Sequence, residues 1–249
     1  MGGGPGYDPE GISLGGISRA QRRAEAIAAG QRVVAEAVAT ENLAERMLLM
    51  VAAVGQALED LSLTPTVVGG LVVEYFTRAY ATSDVDVLLP TTDEVKDRLH
   101  QLGFVQPEEG QRVWRHPAAD IEWEMPGSDL SPEDQAVAVE LAGGARLLML
   151  RREDMLVHRI DEFVGGGHRE VFEQVLALAH GHDVDWHRVR ERAAQSNLHD
   201  AVDVVLDWTR RVIDDGEPMP ETWALHDLAD DLGRQLMRRN AESARGRRS

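Results

Sequence analysis

The run Ser83-Asp84-Val85-Asp86-Val87-Leu88-Leu89 constrains this chain more than any other stretch. Extended, it turns Asp84 and Asp86 to one side and Val85 and Val87 to the other, because strand side chains alternate faces. One face can then be buried, while the other carries two carboxylates on a rigid support. Such a pair suits a hard cation, and Mg²⁺ in particular, which keeps several waters and takes only one or two carboxylates from a protein beside substrate phosphates. Just upstream, Thr66-Val67-Val68 reads as a short strand, Gly69-Gly70 as a turn, and Leu71 to Phe76 as a short helix whose N-terminus lies at the glycines.

The chain has 249 residues, 43% of them hydrophobic, enough for one sizeable domain or two smaller ones with a buried core. No apolar stretch is long enough to cross a bilayer. The start, Met1-Gly2-Gly3-Gly4-Pro5-Gly6, lacks the basic and apolar regions of a signal peptide, so the expected location is cytoplasmic and away from membranes. The absence of cysteine excludes disulfides, thiolate zinc sites and cysteine nucleophiles. A net charge of −17 opposes unaided binding to a nucleic-acid backbone and fits a cationic or neutral small substrate or a protein partner. Arg234, Arg238, Arg239, Arg245, Arg247 and Arg248 set the C-terminal end apart as basic.

Periodicity divides the chain into four parts. Residues 1–16 are Gly-rich and expected to be disordered. Residues 17–150 form the core. They begin with two helices, one through Ala24, Ile27, Val34 and Val38, the other through Leu43, Met47, Val51, Val54, Leu58 and Leu61. Thr91-Thr92-Asp93-Glu94 resembles a capping box opening a helix through Val95, Leu99 and Leu102. Gln111–His116 and Asp120–Met125 read as a hairpin, Ser131-Pro132-Glu133 as a helix cap, and Leu147–Leu150 as a last strand. Residues 151–236 are helical in pattern, and 237–249 form a basic tail expected to be disordered. The fold class is α/β (α+β), a mixed sheet flanked by helices with a helical C-terminal part.

Taken together, Val67-Val68-Gly69-Gly70-Leu71, Tyr75, Arg78, Thr82 and Asp84-Val85-Asp86-Val87 resemble the signature of the polymerase-β-like nucleotidyltransferase superfamily. The variant is the Gly-Gly one of abortive-infection-type toxins and of lincosamide or aminoglycoside adenylyltransferases. The resemblance covers residues 64 to 160. It implies a glycine turn cradling a triphosphate, an Asp pair holding Mg²⁺, and a third carboxylate on a later strand.

Asp120-Ile121-Glu122-Trp123-Glu124 offers three carboxylates for that last role, all on one strand face by the period-two rule. Glu122, between Ile121 and Trp123, best matches the family's acid, although the family more often has Asp; Asp120 and Glu124 are the alternatives. The resemblance thus assigns metal binding and catalysis to Asp84, Asp86 and Glu122. It assigns nucleotide contacts to Gly69, Gly70, Arg78 and Thr82, and leaves Glu74 as an acid near the substrate. The implied activity is Mg²⁺-dependent transfer of an NMP from an NTP to an acceptor hydroxyl on tRNA, protein or an aminoglycoside-like small molecule, in a toxin-type enzyme with an antitoxin partner or in an antibiotic-modifying one. The alternative is a non-catalytic module of the same fold.

Other features have plainer readings. Val87-Leu88-Leu89 excludes a calcium loop at Asp84. His180-Gly181-His182-Asp183-Val184-Asp185-Trp186-His187 lies where one helix ends and the next begins, and reads as loop chemistry rather than a metal cluster. Arg169-Glu170-Val171-Phe172-Glu173 reads as an amphipathic helix, and Trp123, Trp186, Trp208 and Trp223 as core or groove-lining residues.

Overall fold

The computed structural model describes residues 18–108, 110–180 and 183–246. The Gly-rich start expected to be disordered, Gly181, His182 and the last three residues lie outside that range. The strands are β1 (Thr66–Val68), β2 (Asp84–Leu88), β3 (Val113–His116), β4 (Ile121–Gly127), β5 (Ala136–Glu140) and β6 (Arg146–Leu150). The helices before and within the sheet region are α1 (Arg19–Ala39), α2 (Leu43–Ala57), α3 (Gly70–Thr77) and α4 (Asp93–Gln101). After β6 come α5 (Arg152–Gly166), α6 (Arg169–Ala179), α7 (Trp186–Gln195), α8 (His199–Thr209), a π-helical turn (Arg210–Asp214) and α9 (Thr222–Gly246). The strands form one mixed sheet in the order β3-β4-β2-β1-β6-β5. β2 runs antiparallel to β1 and parallel to β4, and β6 runs parallel to β1. No described helix is long and apolar enough to cross a membrane.

Alternation decides which face of the sheet is buried. Val67, Val85, Val87, Trp123 and Met149 are covered, whereas Asp84 and Glu124 between them are exposed. The core continues into α2, which is buried from Met47 to Val54 without interruption because α1, α4 and β6 surround it. α1 meets α2 through buried Ala26, Gly30, Val33 and Ala37, whereas of the residues that periodicity suggests Ala24 and Val38 are exposed and Ile27 and Val34 only partly buried. Small residues let the two axes approach closely. A Cβ at Gly30 would lie 2.7 Å from the Ala53 carbonyl oxygen.

Three other expectations are corrected. Ser131-Pro132-Glu133 opens no helix; the chain passes into β5, whose Val137 and Val139 alternate with small residues and which pairs antiparallel with β6. The basic tail is helical as far as Gly246, as an extension of α9. Trp223, at the start of α9, is 69% exposed rather than packed.

The helical part is tied to the sheet by buried charges. Asp154 at the start of α5 accepts the Gln135 N–H at 2.7 Å, next to β5, and pairs with Arg188 of α7 at 2.9 Å. Asp134 pairs with Arg192 at 2.8 Å. These bonds fix where α5 crosses, and α5 packs on α3, the helix that leaves the glycine turn.

Candidate active site

Strand pairing places the acids in two rows. The first runs Arg115 (β3), Glu122 (β4), Asp84 (β2); the second runs Val113, Glu124, Asp86, Val68 across β3, β4, β2 and β1. All four acids therefore share one face, but the rows differ in charge. In the first, Glu122 accepts from Arg115 Nε at 2.9 Å and lies 2.7 Å from its Nη2. In the second, no cation stands beside Glu124 on β3. Asp120 is outside both rows: it sits in the turn before β4 with φ of 52°, so the period-two reading does not extend to it.

Asp86 is the acid most affected by its surroundings. Its pKa is pushed up to about 6, first by loss of hydration and then by the negative charges of Asp84 and Glu124; Arg159 and the Gly70 N–H pull it down without compensating. Glu124, rather than Glu122, is the β4 acid directly opposite Asp86. Arg159, on α5, was not legible as a site residue because only the packing of α5 on α3 brings it near β2. It pairs with Glu162, and its Nε has no hydrogen-bond partner among the described residues.

The glycine turn lies directly against the acids. Gly69 has φ of 68° and ψ of −147°, a conformation open in practice only to glycine, and Gly70 begins α3. The Gly70 N–H lies close enough to Asp86 to help hold its acidity down. Thr82 is buried, and its hydroxyl donates to Asp84 Oδ1 at 2.8 Å; its own N–H donates to Glu74 Oε2 at 2.9 Å. Arg78 caps α3 in the left-handed region with φ of 56°. It is exposed and lines a cleft with Glu45, Glu74, Tyr75 and Glu140, with no hydrogen bond or ion pair to Asp84 or Asp86. A larger cavity of ≈ 710 Å³ opens beside the first acid row, lined by Ser83, Arg115, Asp120 and Glu122 together with Arg46 and Leu43.

The residues fit a small hard cation completed by substrate. Among the described residues no three His, Cys, Asp or Glu side chains stand close enough to hold an ion alone. Mg²⁺ takes only one or two carboxylates when phosphates and water fill its other positions, and Asp84 and Asp86 stand as two carboxylates on one face of β2. The crowding of Asp86 by negative charge is what a cation would relieve. The described residues of the histidine-rich stretch show no such arrangement: His180 ends α6 and Asp185 caps α7, accepting from His187 and Arg188 N–H groups at 3.1 Å.

No protein-family model matches this chain, and no curated protein matches it. Among solved structures it is similar to an antigenic nucleotidyltransferase-like protein from Paracoccidioides brasiliensis, with 14% identity and a TM-score of 0.45 over 65% of this chain and 92% of that one.

Proposed function

We propose that this protein is a Mg²⁺-dependent nucleotidyltransferase that moves an NMP from an NTP to an acceptor hydroxyl and releases pyrophosphate. The observation that carries the reading is the half-buried Asp86, pressed against the glycine turn and flanked by the negative charges of Asp84 and Glu124. Asp84 and Asp86 would hold Mg²⁺, which when bound would offset the negative charge that develops on the reacting phosphate oxygens. The first turn of α3 faces the phosphates with its N-terminal dipole. Arg159 adds a cation on the α5 side, where charge builds as the bond to pyrophosphate breaks.

In this reading Glu124 takes the role the resemblance gave to Glu122. Its carboxylate accepts the proton of the acceptor hydroxyl, whose oxygen then attacks the α-phosphorus as the α–β phosphoanhydride bond breaks. Glu122 remains with Arg115 at the edge of the ≈ 710 Å³ cavity, through which the acceptor approaches.

The test is transfer of label from each α-labelled NTP to total tRNA, cell-extract protein or an aminoglycoside panel, with Asp84→Ala/Asp86→Ala as control. Label lost in the control establishes the enzyme and its acceptor class, toxin-like or antibiotic-modifying. Glu124→Gln should lower transfer by about 10²-fold and Glu122→Gln by only a few-fold, in line with the usual contribution of a proton-accepting group. The engagement of Glu122 by Arg115 favours a second reading, a non-catalytic module. Mg·NTP binding without transfer to any acceptor would decide for it.

A further inference from the structure

The two glycines are conventionally explained by what must approach them from outside. Here each is crowded from inside, and by a different aspartate's support. A Cβ at Gly69 would lie 1.9 Å from Asp86 Oδ2 and 2.8 Å from its Cγ. A Cβ at Gly70 would lie 2.7 Å from Thr82 Oγ1 and 3.1 Å from Thr82 Cβ. Real Cβ atoms do not come as close as these two shortest contacts. Thr82 cannot yield easily, because it is 8% exposed and held at both ends, by Glu74 through its N–H and by Asp84 through its hydroxyl.

We infer that Gly69, Gly70 and Thr82 are positioning residues for the acid pair: Gly69 makes room for the Asp86 carboxylate, and Gly70 makes room for the hydroxyl that orients Asp84. The inference rests on the reading of Asp84 and Asp86 as a cation site. It moves the main work of the Gly-Gly pair from cradling phosphate to placing metal ligands. It also reassigns Thr82 from a nucleotide contact to a support for Asp84. Glu74 belongs to the same chain of contacts, because its carboxylate fixes the Thr82 backbone at the end of the loop that joins α3 to β2.

The experiment measures Mn²⁺ binding by electron paramagnetic resonance with no nucleotide present, so phosphate contacts cannot contribute. Variants are Thr82→Val, Thr82→Ser, Gly70→Ala and Asp84→Asn, each checked for unchanged thermal unfolding. Groups that orient a metal's ligands change its affinity by about 10–100-fold, so Thr82→Val and Gly70→Ala should each weaken Mn²⁺ by at least about tenfold, while Thr82→Ser stays near wild type. Gly70→Ala and Thr82→Val combined should cost less than the product of the two, because both act through one hydrogen bond. Wild-type Mn²⁺ affinity in Thr82→Val and Gly70→Ala, with Asp84→Asn impaired, overturns the inference and leaves the cation site standing. Mn²⁺ binding that is absent from the wild type, or unaffected by Asp84→Asn, overturns the cation site itself.

Discussion

Asp60 and Asp86 are both withdrawn from water, and their acidities move in opposite directions. Asp60, in the turn after α2, receives Arg98 Nη1 at 3.1 Å and Nη2 at 2.9 Å, and the Arg98 guanidinium holds its carboxyl below the usual range. Arg98 is fully buried and also donates to the Ala57 carbonyl at 2.8 Å, so this pair locks α4 to the end of α2. Asp86 loses hydration and stands beside the carboxylates of Asp84 and Glu124, which Arg159 and the Gly70 N–H do not offset, and its pKa rises to about 6. A buried charge that has its partner is part of the scaffold. One left without enough positive charge has capacity for a ligand, and folding stability is sacrificed to keep that capacity.

The largest effect should come from removing the unsatisfied acid. Asp86→Asn should reduce nucleotidyl transfer by on the order of 10³-fold, since losing a metal ligand forfeits several kcal/mol of transition-state stabilisation. Steady-state kinetics at saturating Mg²⁺ measures this. A loss below tenfold would break the comparison by making Asp86 as dispensable for chemistry as Asp60.

The satisfied pair should show the reverse pattern. Arg98→Met leaves Asp60 buried without its cation and should cost about 3–5 kcal/mol in urea unfolding, the usual penalty for breaking a buried ion pair. Mn²⁺ affinity of the fraction that remains folded should be unchanged. A cost under about 1 kcal/mol would place the Arg98–Asp60 pair with ordinary surface pairs.

Stability against pH separates the two acids by sign. Asp86 has a folded pKa of about 6, above the ordinary aspartate value of 3.8, so its ionised form opposes folding. That penalty is fully present above about pH 6, falls as pH drops through the folded pKa, and is gone below the unfolded one. Asp86→Asn should therefore be more stable than wild type at about pH 8 and lose its advantage by about pH 4. For Asp60 the folded pKa is depressed, so its contribution is present above 3.8 and disappears as pH falls through the folded value. Arg98→Met should accordingly show its largest deficit near neutrality and a smaller one in acid. Urea unfolding across that pH range measures both.

The same contrast explains how much the sequence discloses. Asp84, Asp86 and the Gly-Gly turn are legible because each depends on local spacing: period two along β2 and a strand–turn–helix at residues 66–77. The capping box is legible for the same reason, with Thr92 accepting the Val95 N–H at 3.3 Å. What the sequence leaves open is set by neighbours far along the chain. Whether Glu122 or Glu124 serves the site turns on Arg115 standing opposite one and Val113 opposite the other, which only the β3–β4 register fixes. Arg159 enters the site through helix packing, and β5 forms because β6 is there to pair with it. The glycines are legible, but the reason for them, the Thr82 hydroxyl and the Asp86 carboxylate pressed against them, depends on β1 and β2 pairing.

The smallest effect sharpens the assignment of the third acid. Arg115 and Glu122 form a satisfied pair like Arg98 and Asp60, but an exposed one, with side chains 60% and 44% accessible. Water screens both charges, so Arg115→Gln should change stability by less than about 1 kcal/mol, and by less still in high salt. If Glu122 is only the partner of Arg115, freeing it leaves Mn²⁺ affinity within about twofold of wild type, because Glu124 and not Glu122 stands opposite Asp86. A gain in Mn²⁺ affinity of tenfold or more in Arg115→Gln, abolished again by Glu122→Gln, would mean that Arg115 withholds a third ligand from Asp84 across the first row. The catalytic acid would then be Glu122, and the exposed pair would be a latch on the site.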